Sequence, residues 1–423
     1  MYTFKFDYSK YIMLKIDIAN PDNKGGTNVI HTFEQALEAI KKANILTLGA
    51  PKIVYLVGWQ YLGHDDKYPA FFEVNEAAKR PQDESAQDSL LWLINEAKKY
   101  NTVVSLHINL SDAYPDSPLW DEYMKNDLIL LNRKNKPKVT GVWNGRKAYQ
   151  VRFKQEYESG YFKKRVDKLF ELVPLDEIGT IHVDAFFVRK GKGTKISDEK
   201  IYRRKMIEYF LSRGVDVTSE FIYRELNCGY RSLWGKSDVI GLIPAFWHLR
   251  MTQRDYMKYS PQVLAGGSLN MDLQWDKDLE YLFYGNCHGE GAFNNNDYQM
   301  FAREFSLMSV PYLFLNKHKL KKITGFLKNR RAFFSDGVIS TVKNKKIIQN
   351  GKTLKENNSV FMPVAWLENT YYAWSDKDRT LTIDKPHQVF EICETGYKEI
   401  NYKQNAEQCS IKMSGGRGYM FKY

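Results

Sequence analysis

Over roughly its first 320 residues the chain alternates two hydrophobic rhythms, and that alternation limits its fold more than any other feature. Tyr11–Ala19, Lys52–Trp59, Thr102–Leu110, Thr180–Phe187 and Val215–Phe221 read as buried strands. Between them run segments of helical period: His31–Leu46, Asp88–Tyr100, Ser159–Val173 and Ser197–Arg213. In the first, Phe33, Leu37 and Ile40 share a face, and Thr32 with Gln35 forms a capping box. In the third, Phe162, Val166, Leu169, Phe170 and Val173 make one stripe. Gly214 stops the fourth as a C-cap residue. Asp238–Pro244 and Val263–Asn270 are further strand candidates, and Asp276–Tyr284 and Asp297–Lys317 are helical, the last kinked or broken at Pro311. Repeated β-α units of this size imply a parallel sheet, and about eight imply a (β/α)8 TIM barrel, here over residues 1–320. Tyr149–Phe153 fits either a barrel strand or a loop strand.

Beyond residue 320 the helical period fades. Short strand runs take over at Gly337–Val342, Val360–Val364, Thr370–Trp374, Thr380–Ile383, Gln388–Glu391 and Gly418–Lys422, separated by turns such as Asn350-Gly351. Residues 321–423 are therefore expected to form a small antiparallel β-sandwich. A length of 423 residues suits a barrel plus such a domain, and 43% hydrophobic residues make the chain globular. No run reaches the ~18 apolar residues of a membrane span, so membrane insertion is not expected. The N-terminal stretch has no signal-peptide core, which leaves an intracellular protein or a trimmed secreted one. The four cysteines form no CxxC pair, which argues against structural zinc and thiol redox chemistry. The net charge of +12 reads as a solvated surface of scattered Lys and Arg, with the loop Asn132–Lys138 as one concentration. Nucleic acid is not the expected partner, while attraction to acidic glycans stays open.

In a barrel enzyme, functional residues collect at the C-terminal ends of strands. Those ends carry Gly58-Trp59-Gln60-Tyr61-Leu62-Gly63-His64-Asp65, then His107-Ile108-Asn109, then Asp184, then Glu220. Two carboxylates raised on successive parallel strands are the minimum machinery for cleaving a glycosidic bond. One protonates the leaving oxygen while the other attacks the anomeric carbon. The structural alternatives are a loop-capping role for Asp184 and a pairing of Glu220 with Arg224. His182 shares the Asp184 side of its strand and fits equally a packed interior residue or a ligand. His64, Asp65 and His107 suit sugar hydroxyls better than a metal, since no third ligand at metal-like spacing stands out. Trp143, in Gly141-Val142-Trp143-Asn144-Gly145, reads as a binding platform. Gln60, Asn109 and Asn286 complete the candidate substrate-binding residues. Neither metal nor cofactor is expected.

This ordered set resembles the catalytic barrel of the endo-α-N-acetylgalactosaminidases, glycoside hydrolase family 101. The residues that carry the resemblance are Gly58-Trp59-Gln60-x-x-Gly63-His64-Asp65, Leu106-His107-Ile108-Asn109 with Tyr114-Pro115, His182-Val183-Asp184, and Glu220. It continues more diffusely through Ile348-Gln349-Asn350-Gly351-Lys352 and Pro363-Val364-Ala365-Trp366. The resemblance implies a retaining α-glycosidase acting on α-linked N-acetylgalactosamine, as in mucin-type O-glycans and glycopeptides. It implies Asp184 as nucleophile, Glu220 as acid/base, Asp65 and His107 as sugar ligands, and Trp143 as a loop residue over the substrate. The chain departs from the family pattern in three places. Trp143 stands alone where the family has Trp-x-Trp. Ala185-Phe186-Phe187-Val188 replaces a segment with Gly and Asn, and Phe221-Ile222 replaces Trp-Gly. With the large accessory domains of secreted members also missing, a compact form acting on small glycopeptides or free glycosides is expected. A glycosidase of another specificity, such as an α-galactosidase, and a barrel that binds glycan without cutting it are the alternatives.

Overall fold

The first half of the chain builds its sheet in chain order. In a computed structural model, β1 (Ile12–Asp17), β2 (Lys52–Val57), β3 (Thr102–Asn109), β4 (Thr180–Asp184), β5 (Asp216–Ser219) and β6 (Leu242–Pro244) lie side by side. The registers from β3 through β6 are parallel. The structure describes residues 4–22, 24–219, 242–244, 257, 281–291, 293–294, 298–384, 386–404 and 408–423. Glu220, Arg224, Phe221-Ile222 and the strand candidate Val263–Asn270 lie outside these residues. The chain clusters into two compact units, one of Met1–Asp7, Leu14–Glu38 and Ile53–Ala245, the other of Tyr8–Met13, Ala39–Lys52 and Phe246–Tyr423.

The first unit is a parallel half-barrel with its helices. The expected helices form as α1 (Phe33–Leu46), α2 (Ala86–Ala97), α3 (Tyr161–Leu172) and α4 (Ile196–Ser212). The Thr32–Gln35 box is reciprocal: Thr32 N donates to Gln35 Oε1 at 2.8 Å, and Gln35 N to Thr32 Oγ1 at 3.2 Å. A second box, Ser85 with Asp88, starts α2 about two residues earlier than periodicity alone suggests, because Asp88 is its N3 residue. Gly214 follows α4 in the left-handed region at φ +73°.

Strand alternation splits this sheet into two chemically different faces. One face is aliphatic, with Val104, Leu106 and Ile108 of β3, Ile181 and Val183 of β4 and Val217 of β5, all buried. The opposite face is polar yet also buried: Ser105, His107 and Asn109, then Thr180 and His182, then Asp216 and Thr218. Register pairs His107 with His182 and Asn109 with Asp184, and His182 with Thr218. The buried polar groups bond to one another, as burial demands. Tyr55 hydroxyl meets Thr180 Oγ1 at 2.8 Å, and His182 Nδ1 meets Thr218 Oγ1 at 2.9 Å. Of Tyr149–Phe153, Tyr149 and Gln150 belong to a loop strand, and Phe153 begins a short helix, Phe153–Glu158. Arg146–Gln150 pairs antiparallel with Val139–Trp143 and with Asp112–Ala113, outside the parallel sheet.

In the second unit, Tyr298–Glu304 and Val310–Leu315 are α-helical and flank a π-helical turn, Phe305–Ser309. Pro311 is the cause: it has no N–H for the carbonyl four residues back, and its ring needs room there, which the wider turn provides. The C-terminal strands form a ten-stranded antiparallel sheet from Leu320–Thr324 to Gly418–Lys422, plus a three-stranded one containing Arg379–Asp384 and Gln408–Met413. Leu381, Ile383, Ile411 and Met413 of the smaller sheet share a core with Ala373, Val389, Tyr419 and Phe421 of the larger. Asn350 and Gly351 form the expected hairpin turn, at φ +48° and +83°, between Lys346–Gln349 and Lys352–Glu356. No helix among the described residues is long and apolar enough to cross a membrane.

The apolar stripe of α3 conceals one charge. Arg165 is 1% exposed, and its Nε lies 2.7 Å from Glu156 Oε1. Its Nη1 donates to Pro69 O at 3.2 Å and its Nη2 to Leu110 O at 3.1 Å. The guanidinium thus ties α3 to the chain just past β3 and to the segment after β2. Removing the carboxylate leaves a buried cation uncompensated, which typically costs about 3–5 kcal/mol. Chemical denaturation of Glu156→Gln should show a loss of that order, whereas a loss under about 1 kcal/mol would mean that the pair does not hold the helix.

Candidate active site

The loop after β2 depends on two glycines. Gly58 has φ +69°, and a Cβ there would stand 1.9 Å from Ala19 O; Gly63 has φ +133°, with the same oxygen 2.5 Å away. Only glycine allows the loop to pass this close to Ala19–Asn20, where His64 N donates to Ala19 O at 2.8 Å. The loop end turns inward at Asp65, itself in the left-handed region at φ +56°. Arg146 clamps it there. Nη1 donates to Asp66 Oδ1 and to Asp116 Oδ2, each at 2.8 Å, Nη2 donates to Asp65 O at 2.5 Å, and the guanidinium lies over the Tyr114 ring. At the tip of the same hairpin, Asn144 Nδ2 donates to His64 O at 3.1 Å.

His107 is fully buried, and neither ring nitrogen has a hydrogen-bond partner among the described residues. Burial, reinforced by Lys15, His182 and His64, holds its pKa well below the usual imidazole range, so the ring is neutral. Its Nε2 lies 3.7 Å from Asp184 Oδ2, and its ring centroid is 5.2 Å from that of His64 and 5.1 Å from that of His182. His64 Nε2 lies 3.4 Å from Asp65 Oδ2. One ligand atom each of His64, Asp65 and Asp184 falls within 4.8 Å of the others. The third partner that spacing alone does not reveal is therefore Asp184. A neutral imidazole beside carboxylates offers both a donor and acceptors for sugar hydroxyls. Asp184 is half-buried at the end of β4. The next residue, Ala185, has φ +41°, a conformation that favours glycine. Its carbonyl accepts from Ser111 Oγ at 3.1 Å.

The other candidates divide by what they touch. Gln60 is buried, and its Nε2 donates to Gly63 O at 3.1 Å and to Tyr68 hydroxyl at 3.2 Å; its Oε1 has no hydrogen-bond partner among the described residues. Trp143 is 46% exposed on the hairpin. Asn109 turns onto its own chain: Oδ1 accepts from Ser111 N at 2.8 Å and Asp112 N at 2.9 Å, and Nδ2 donates to Asp112 Oδ2 at 3.0 Å. Asn286 belongs to the second unit, where its buried Nδ2 donates to Tyr8 O at 3.0 Å and Tyr11 O at 2.6 Å.

Sequence reasoning missed Lys15, Tyr68, Asp112 and Arg146, and gave Tyr114 no role beyond the family resemblance. Lys15 had a signal, as a lysine inside an otherwise apolar strand that proves 2% exposed. Asp112 is 2% exposed, and burial, then the Asp65 charge, pushes its pKa up to about 7. Burial, followed by Asp65, Asp184 and Asp112, raises Tyr68 well above the phenol range. Burial and Asp65 likewise raise Tyr114.

A parallel α/β sheet with acids and imidazoles gathered beyond its strand ends, followed by antiparallel sheets, is an architecture found among glycoside hydrolases. The sequence profile of the endo-α-N-acetylgalactosaminidases, glycoside hydrolase family 101, matches residues 19–241, just over half of the chain, and the chain belongs to that family. Among solved structures, the ligand-free α-N-acetylgalactosaminidase NagBb from Bifidobacterium bifidum is similar at a TM-score of 0.58 and 14% identity, over 81% of this chain and 58% of its own. The same enzyme complexed with Gal-NHAc-DNJ gives 0.54 and 14%, over 80% and 58%. At these identities the likeness is one of fold, and the chain spans less than two thirds of NagBb. An α-amylase from Lactobacillus plantarum, covering 99% of both chains at 12% identity, reaches only 0.47 and carries no weight.

The raised pKa of Asp112 makes a pH-dependent contribution to stability. The folded chain holds this proton from the ordinary carboxylate value of 3.8 up to about 7. Over that window the folded state binds more protons than the unfolded one, so stability falls as pH rises. Asp112→Asn removes the effect. Thermal unfolding should show the variant gaining on wild type as pH rises from 3.8 to about 7 and levelling off above that, and a difference that stays constant with pH contradicts the assignment.

Proposed function

We propose that the chain is a retaining glycosidase that hydrolyses α-linked N-acetylgalactosamine in mucin-type O-glycans or glycopeptides. The observation that carries this reading is Asp184, half-buried at the end of β4: 3.7 Å away lies Nε2 of a neutral His107 imidazole that has no hydrogen-bond partner among the described residues. Family membership supports the substrate class, and the names of the NagBb structures agree with it. In this proposal residues 1–320 form a complete (β/α)8 barrel and residues 321–423 a β-sandwich domain.

Ionised Asp184 attacks the anomeric carbon while Glu220 protonates the leaving oxygen, giving a covalent glycosyl-enzyme. Glu220 then takes a proton from water as the water displaces Asp184. The assignment of Glu220 extends the alternation of β5 one step beyond Asp216 and Thr218. Retention requires carboxyl groups about 5–5.5 Å apart. His107 and Asp65 are assigned to sugar hydroxyls, joined by His64 and Gln60, with Trp143 stacking on a sugar face. His107 is suited to this because burial holds its imidazole pKa well below the usual range, so its N–H donates without adding charge beside the nucleophile.

Asp184→Asn and Glu220→Gln should each lower kcat on a glycopeptide by at least about 10³-fold with the fold intact. With azide and an activated aryl substrate, Asp184→Ala should give a glycosyl azide of inverted configuration and Glu220→Ala one of retained configuration. Near-wild-type turnover in either conservative variant, or the opposite stereochemistry, overturns the mechanism. Cleavage of aryl α-galactosides as fast as the N-acetylated analogue overturns the specificity.

A further inference from the structure

The formal charge of +12 comes from 62 Lys and Arg against 50 Asp and Glu, and the excess is local rather than dispersed. Residues 128–155 hold eight cations and residues 185–197 hold four, and neither stretch contains an acid. Outside them the chain carries 50 residues of each sign.

The two stretches are joined in space. Lys192 N donates to Leu131 O at 2.8 Å, Lys138 Nζ to Lys190 O, and Lys192 Nζ to Asn135 Oδ1. A Cβ on Gly191 would stand 2.2 Å from Leu130 Cδ1 and 2.9 Å from the backbone oxygen of Leu131, so the two loops are in close contact at this glycine. Arg133, Lys134, Lys136, Lys190, Lys192 and Lys195 are exposed on the joined surface. Arg146, Arg152 and Lys154 of the first stretch are ion-paired with acids outside it, but the six exposed cations of the joined surface, set side by side, make a single-sign field that opposes folding and attracts anions.

This ledge runs into the wall of the candidate site. Arg189 Nη1 donates to Gln150 Oε1 and stands 4.0 Å from Asp112 Oδ1. The first stretch also supplies the hairpin that carries Trp143 and holds the His64 carbonyl. An occupant of the ledge is therefore most simply a continuation of whatever fills the pocket. Resting on the glycosidase reading, we infer that the two loops form an anion-binding subsite for a sulfate ester or sugar carboxylate on the glycan next to the cleaved bond.

The test uses the full chain carrying Asp184→Asn, titrated by calorimetry with neutral, sulfated and carboxylated forms of one α-N-acetylgalactosaminyl glycopeptide at low and moderate salt. At least one anionic form should bind about tenfold tighter than the neutral one at low salt, with the advantage shrinking as salt rises. Adding Lys134→Glu, Lys190→Glu and Lys195→Glu should abolish the advantage and leave neutral affinity and thermal unfolding unchanged. The corresponding triple Arg variant should keep it. Equal binding of all three glycopeptides, or an advantage that survives charge reversal, overturns the inference. So does tighter, glycan-independent retention of duplex DNA or anionic vesicles. Failure of the glycosidase reading shows separately, as absence of wild-type hydrolysis of a neutral aryl α-N-acetylgalactosaminide.

Discussion

The in-register parallel pairing of β3, β4 and β5 is the constraint on which the rest of the site depends. Pairing His107 with His182, and His182 with Thr218, forces every second residue of three strands onto one buried face. A slip of one residue would turn the histidines toward the helices and bring Val183 and Leu106 inside. The same register sets Asn109 beside Asp184 at the strand ends. In the polar layer below, Tyr55 bonds to Thr180 and His182 Nδ1 bonds to Thr218. His107 is fully buried, and neither of its ring nitrogens has a hydrogen-bond partner among the described residues. A buried imidazole without hydrogen bonds costs stability, and such a cost is common where a ligand supplies the missing partner.

A second element presses the pocket into shape from outside the sheet. The Gly58–Asp66 loop folds tightly over Ala19–Asn20, and the Val139–Gln150 hairpin locks it through Arg146 and Asn144. Asp65, Trp143 and the cationic ledge thus belong to one connected structure. Change in the hairpin would act on the candidate pocket and on the surface that flanks it together.

Much of this was legible in the sequence because it rests on short-range rules. Strand and helix periods located β1 to β5 and α1 to α4, the Thr32–Gln35 box marked a helix start, and Asn350-Gly351 marked a hairpin. Reading strand ends found His64, Asp65, His107 and Asp184, which the structure brings together. What escaped depends on partners distant in sequence. Arg165 sits on an apolar stripe because Glu156 neutralises it from a neighbouring helix. Asp112 and Tyr68 reach the site along loops whose paths no periodicity describes. Asn109 looked free at a strand end, yet its amide closes its own turn. The charge asymmetry was countable from the outset, but its meaning needed the contact between Gly191 and Leu130 that makes two basic loops into one surface.

The central claim is that Asp184 forms the covalent bond to the sugar. The direct measurement is to trap that species with a fluorinated, activated α-N-acetylgalactosaminide that reacts faster than its intermediate hydrolyses, then map the modified peptide by mass spectrometry. One glycosyl adduct is expected, on the peptide and side chain of Asp184. An adduct on Asp65 or Asp112, or continued turnover with no carboxylate adduct, would contradict it.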